Sequence, residues 1–216
     1  MSLNRRLVIA GAGSFGREVW QWANDMQSER REWDSIVFIN DDLNVAQKII
    51  DSGINCSIIS TINDYIPEPN DVCVCAIGEP KGKLQVIDRL KNKNVVFTNV
   101  IHPTAVIGVG SKLGIGIILC PHSVVTVNVT IGDHVIVNIA SSIGHDAHLE
   151  EGVTLSAHCD VTGYCRLNKG SFLGSGARML PKSILGEFSV IGAGSVVLKK
   201  VAPNRKVFGN PAYYVD

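Results

Sequence analysis

An aliphatic side chain stands at every sixth position through the second half of this sequence. From Ile101 the steps pass Ile107, Leu113, Leu119, Val125, Ile131, Val137, Ile143 and onward to Val197, seventeen positions and seventeen aliphatic residues. With ~40% aliphatic residues and six possible phases, chance would give such a run about once in a million trials. A period of six fits neither a 3.6-residue helix nor the two-residue alternation of a hairpin ladder. It fits short parallel strands that turn at regular corners, with the aliphatic residue inside and three hexads to a coil, a parallel β-helix. Glycine often occupies the second place (Gly108, Gly114, Gly132, Gly144, Gly174, Gly186, Gly192), where it is expected to relax the backbone at the corner, and small residues often occupy the fifth. The register is read as unbroken from 101 to 201, which predicts about five or six coils without a large inserted loop.

The first hundred residues follow another pattern. All three Trp lie there, whereas all six His and 15 of the 21 Gly come later. A boundary near residues 96–103 is the simplest account, giving domains at 1–98 and 99–216. Leu7 to Ala10 reads as a buried strand, followed by Gly11-Ala12-Gly13-Ser14-Phe15-Gly16 and a helix from Arg17 to about Gln27. Ile36 to Ile39, closed by Asp41 and Asp42, and Asp71 to Ile77, closed by Gly78, read as two further strands. This is a small parallel α/β unit, half of a Rossmann-like fold, with ligands expected beyond the carboxyl ends of its strands. A G-x-G-x-x-G turn between strand and helix suits close approach to a phosphate. Roughly half the strands of a two-lobed dinucleotide fold are present, so a mononucleotide-bearing ligand is favoured over NAD.

Twenty basic residues balance twenty acidic ones, so no general field draws in nucleic acid or an anionic membrane. Hydrophobic residues make up 45% of the chain, yet no uncharged run approaches the ~18 residues of a spanning helix. The basic-then-apolar start runs straight into the glycine turn and reads as a first strand, not a signal peptide. The six cysteines contain no C-x-x-C and are expected as free thiols in a reducing, cytoplasmic compartment.

Taken together, the chain resembles over essentially its whole length the nucleotide-sugar and sialic-acid acetyltransferases of the hexapeptide acyltransferase superfamily. The residues that carry the resemblance are the GAGSFG turn, Asp41-Asp42, Ile101-His102-Pro103-Thr104-Ala105, Gly144-His145-Asp146, the stretches 172–177 and 191–197, and Gly209-Asn210-Pro211-Ala212. The resemblance implies a left-handed β-helix, a homotrimer, acetyl-CoA as donor and a sugar acceptor. It also implies site residues. His145 matches the catalytic base and Asp146 a following acidic residue. Gly163, Ser175 and Ala193 match donor positions, and Asn138 matches a contact to the acceptor sugar. Asp41 and Asp42 match readers of the nucleotide, and Gly11, Gly13, Phe15 and Gly78 fall in the nucleotide-sugar site. The chain departs from its relatives at Phe15, where they usually carry a histidine.

Six histidines also invite a metal reading, as in the related γ-class carbonic anhydrases. His122, His134 and His158 take the fourth, outward-facing place of their hexads, but hexads share a face only at multiples of 18, and His134 lies on a different face from the other two. No metal is expected.

His145 stands third in its hexad and should project outward, with Gly163 one coil away on the same face. The absent side chain at Gly163 is expected to leave a cleft for the thioester. An imidazole titrating near ~6.5 can take a proton from an attacking amine or hydroxyl, with Asp146 orienting the ring. The expected reaction is acetyl transfer from acetyl-CoA to a nucleotide-linked amino sugar, a 4-amino-deoxy sugar. O-acetylation of a sugar or sialic acid, and a non-catalytic nucleotide-sugar-binding protein, are the alternatives.

Overall fold

The structure, a computed structural model, describes residues 5–26 and 32–215. Strand β1 (Arg6–Ala10) leads through the glycine turn into α1 (Ser14–Asp25) and then β2 (Ser35–Ile39). A short 3-10 turn and α2 (Ala46–Asp51) precede β3 (Ile58–Ser60), and β4 (Asp71–Cys75) is followed by α3 (Pro80–Lys91). The four strands are parallel in the order β3-β2-β1-β4. Both faces are covered, so β1 and β4 are nearly continuous apolar runs. The helix starts at Ser14, three residues before Arg17, because Gly13 already serves as its N-cap. Gln27 lies outside the described residues.

Phe97 still bridges to Cys73 at the edge of this sheet, and Val100–Ile101 then opens the first of the two-residue strands. These strands stack into three walls of a left-handed parallel β-helix. Wall 1 runs from Val100–Ile101 to Lys206–Phe208 and ends in the antiparallel Tyr213–Val215; wall 2 runs from Val106–Ile107 to Val196–Val197, and wall 3 from Lys112–Leu113 to Lys200–Val201. In wall 2, for example, Ile143 lies over Val125 and under Val161. Leu119, Val137, Leu155, Leu173 and Ile191 fill the interior with their counterparts from the other walls.

Three sequence expectations need correction. The left-handed backbone falls on the fourth place of the hexad, not on the glycines of the second. His122, Asn128, His134, Ala140, Asp146, His158 and Tyr164 have φ between 54° and 60°. Second-place glycines answer a steric demand instead: a Cβ at Gly144 would lie 2.6 Å from the backbone of Thr162 and Gly163 in the next coil. The register also shifts once. Leu185 pairs with Val201 and Ile191 with Val207, two residues short of the 18-residue repeat, so the last coil is shortened after Val197.

The third correction concerns His134. Its outward place is covered by the N-terminal domain, which leaves it 1% exposed with its ring edge-on to Phe97 at 4.6 Å. The same domain lays α1 on wall 1, where Val100, Ile118 and Ile136 join Val19, Trp22 and Ala23 in one core. The fold thus presents wall 1 to the N-terminal domain and leaves the corner between walls 2 and 3 uncovered by it.

Candidate active site

Two separate sets of site residues emerge. The first surrounds the carboxyl ends of β1 and β4. Gly11, at φ +104°, donates its amide to Ile39 O at 2.9 Å, and a Cβ there would press on Ala76 O and Ile77 at 3.1 Å. Only glycine fits this turn easily. Gly13 faces open space at the N-terminus of α1, whose free amides favour an anion. Beside the turn, a cavity of about 720 Å³ opens between the N-terminal domain and wall 1. Phe15, Gly78 and Lys81 line one side, and Asn138, Thr154, Ser156, Phe172 and Lys206 line the other. Phe15 packs edge-on to Trp22 at 5.9 Å, which gives the cavity an apolar wall where a histidine would have offered a polar one.

Asp41 and Asp42 already hold internal partners. Arg89 grips Asp41 with two hydrogen bonds of 2.8 and 3.2 Å, and this guanidinium holds the carboxyl below its ordinary range. Asp42 caps the 3-10 turn by accepting the Asn44 amide at 2.9 Å. Neither carboxylate lines the cavity.

The second set lies on the corner between walls 2 and 3. Asp146 sits at φ 57° in the fourth place, which turns its carboxylate back to His145 Nδ1 at 2.8 Å. A neutral imidazole that donates from Nδ1 to this carboxylate keeps its lone pair on Nε2. That nitrogen lies against Gly163: a Cβ added there would be 2.6 Å from Nε2 and 2.7 Å from Cε1. The space over Gly163 is therefore filled by the imidazole itself, which corrects the expectation of an open thioester cleft at that point. Tyr164 meets the ring edge-on at 5.1 Å and donates its amide to His145 O at 2.9 Å. His145 remains half exposed.

Ser175 and Ala193 fall on a different corner, between walls 1 and 2, where Gly194 donates to Ser175 O at 2.9 Å. The structure brings those two together and separates them from Gly163 and His145 by the width of wall 2. Among the described residues no cluster of three potential metal ligands occurs. Sequence reasoning missed Lys83, Thr154, Phe172, Phe188 and Lys206. Thr154 and Phe172 repeat Ile136 at intervals of 18, so stacking the outward sixth places of wall 1 would have found both.

Residues 6–90 match the family model described as the PglD N-terminal domain. Most of the chain is similar to GDP-perosamine N-acetyltransferase of Escherichia coli O157:H7, with 29% identity over 86% of this chain and 82% of that protein. It superposes on the acetyltransferase domain of PglB from Neisseria gonorrhoeae FA1090 in complex with acetyl coenzyme A, with a TM-score of 0.84 and 25% identity over 98% of this chain and all of that one. These likenesses support the nucleotide-sugar acetyltransferase branch of the hexapeptide acyltransferase superfamily. Another structure of this kind, WeeI from Acinetobacter baumannii AYE, matches with a TM-score of 0.84 and 26% identity over 98% of this chain and all of that one. The protein is an acetyltransferase.

Proposed function

We propose that this acetyltransferase moves the acetyl group of acetyl-CoA onto the amino group of a nucleotide-linked sugar, a 4-amino-deoxy sugar, with His145 as general base. The observation that carries this reading is the His145–Asp146 pair, 2.8 Å apart on an exposed corner with Nε2 turned toward Gly163. The amine nitrogen attacks the thioester carbonyl carbon while Nε2 accepts the amine proton. The resulting imidazolium is stabilised by Asp146. The tetrahedral intermediate then collapses, the C–S bond breaks, and the proton passes from Nε2 to the departing thiolate. The Gly163 amide makes no hydrogen bond to another described residue, so it is free to donate to the carbonyl oxygen as negative charge develops there. No nucleophilic side chain is needed.

The acceptor enters the cavity at the domain junction, with its anionic part near the turn at Gly11, Gly13 and Phe15, and with Gly78 and Asn138 beside it. Asp41 and Asp42 follow β2 outside the cavity lining, and we assign them the nucleotide base or ribose through the lone pairs their internal partners leave free. The donor's pantetheine amides run along the coils past Gly163, Ser175 and Ala193. In one chain, His145 does not line the acceptor cavity, which calls for a second copy of the protein. Support comes from an exposed apolar strip along wall 2 and its corner with wall 3: Val106, Val109, Val127, Tyr164, Leu180 and Leu198, with Val109 82% exposed. A strip of this kind on either side of a catalytic pair marks an interface, and the threefold prism suits a homotrimer. Five of the six free thiols are buried, which supports a reducing compartment such as the cytoplasm. Among the described residues no helix is long and apolar enough to cross a membrane.

The test is a panel of nucleotide-linked amino sugars and sialic acid incubated with acetyl-CoA, reading free thiol release. Release with a nucleotide-linked 4-amino sugar is expected. Release only with a hydroxyl acceptor would replace N-acetylation by O-acetylation, and ligand binding without any release would make the protein a nucleotide-sugar binder.

A further inference from the structure

Lys83 of α3 is wholly buried at the domain junction, with Nζ 2.8 Å from Thr154 Oγ1 and 3.3 Å from the carbonyl oxygen of Val153. Among the described residues no carboxylate forms an ion pair with it. Burial lowers its proton affinity to about 7, against the opposing influence of Cys75 and Glu79. A protonated lysine can only donate, so the Thr154 oxygen is an acceptor in this contact. The hydroxyl hydrogen of Thr154 has no acceptor among the described residues, and Thr154, 4% exposed, lines the cavity.

The surrounding polar groups agree in sign. The Asn138 amide oxygen accepts the Ile139 amide at 2.7 Å, which leaves its NH2 group to donate. Glu79, the carboxylate at the cavity's edge, is occupied by the Lys81 and Gly82 amides at 2.9 and 2.6 Å. Lys81 and Lys206 add two ammonium groups. The cavity offers donors and asks for an acceptor-rich ligand.

We propose that Lys83 is a positioning residue that fixes Thr154 as a hydrogen-bond donor to an oxygen of the nucleotide sugar, of its diphosphate or of its sugar. This inference rests on the acceptor reading given above. Lys83 stays beneath the cavity floor and acts through Thr154 alone.

The test is calorimetry at pH 6, where Lys83 keeps its proton, with a nucleotide-linked 4-amino sugar and with the matching nucleoside diphosphate. The proteins are wild type, Thr154→Val, Thr154→Ser, Lys83→Met and the double variant Thr154→Val/Lys83→Met. Thr154→Val and Lys83→Met should each weaken nucleotide-sugar binding about 5- to 10-fold, the usual worth of one hydrogen bond. The double variant should bind no worse than either single one, while Thr154→Ser stays within about twofold of wild type. Equal weakening of nucleoside diphosphate binding assigns the bond to a phosphate oxygen; weakening of the full nucleotide sugar alone assigns it to a sugar oxygen. If Lys83→Met fails to fold, the contrast between Thr154→Val and Thr154→Ser decides. Thr154→Val binding as well as wild type, or the two single effects multiplying in the double variant, would overturn the proposal. A wild type that binds no nucleotide sugar would overturn the acceptor reading as well.

Discussion

One methyl group is enough to probe His145. Because a Cβ at position 163 would stand only 2.6 Å from Nε2, Gly163→Ala must push the imidazole off its line while leaving the N-terminal domain untouched. The expected result is a 10- to 100-fold fall in kcat, with nucleotide-sugar affinity within about twofold of wild type by calorimetry. Asp146→Asn is the companion. Asparagine tolerates the left-handed φ of 57°, so the fold survives and only the charge that steadies the imidazolium is lost. Its kcat should fall by less than that of His145→Ala. The stacking of this corner was legible in the sequence because His145 and Gly163 stand one 18-residue coil apart. The orientation of the ring was not, since it depends on the backbone φ of Asp146 and on where Tyr164 places its edge.

At the level of elements, the hexad repeat announced the β-helix, but it blurred two uses of small residues. Second-place glycines admit the backbone of the next coil, whereas fourth-place residues carry the left-handed turn. A Cβ at Gly108 would meet the carbonyl of Thr126 at 2.5 to 2.6 Å, an overlap with backbone that cannot swing away. Gly108→Ala should therefore cost about 1–3 kcal/mol in chemical denaturation, the range for overpacking. Gly13→Ala, with nothing within 4 Å and an ordinary φ of −70°, should cost under ~1 kcal/mol. The two-residue shortening after Val197 falls where the hexad step would reach Pro203, and Val201, four residues on, takes the inward place instead. Strand β3 and helix α2 escaped notice because each is short, and neither shows a run of periodic apolar residues long enough to stand out.

For the whole molecule, what matters is which walls of the prism are covered. The docking of the N-terminal domain was not legible in the sequence, because outward residues of a β-helix carry no mark of what will lie on them. His134 is the clearest case: outward by its hexad, buried by Phe97 and the N-terminal domain. Burial lowers its proton affinity from about 6.5 to about 4. Between those values the unfolded chain takes up a proton that the folded one refuses, so stability falls as pH drops from 6.5 to 4 and the loss levels off below 4. The full effect is on the order of 3 kcal/mol. His134→Asn, which accepts the same φ of 58°, should flatten the pH dependence of the unfolding free energy over this interval relative to wild type. Identical slopes would show that His134 is not sheltered by the docked domain. The uncovered corner makes the second whole-molecule prediction: light scattering at micromolar protein should give a mass near three times 23.3 kDa. A 23 kDa particle would leave His145 without an acceptor cavity.

The central claim is that His145 takes the proton from the acceptor amine, and the most direct measurement is the turnover of His145→Ala with acetyl-CoA and a nucleotide-linked 4-amino sugar, followed by thiol release. The account predicts a well-folded trimer whose turnover is reduced by roughly 10²–10⁴, the usual contribution of a general base. A folded alanine variant with near-native turnover on the amine acceptor would contradict it.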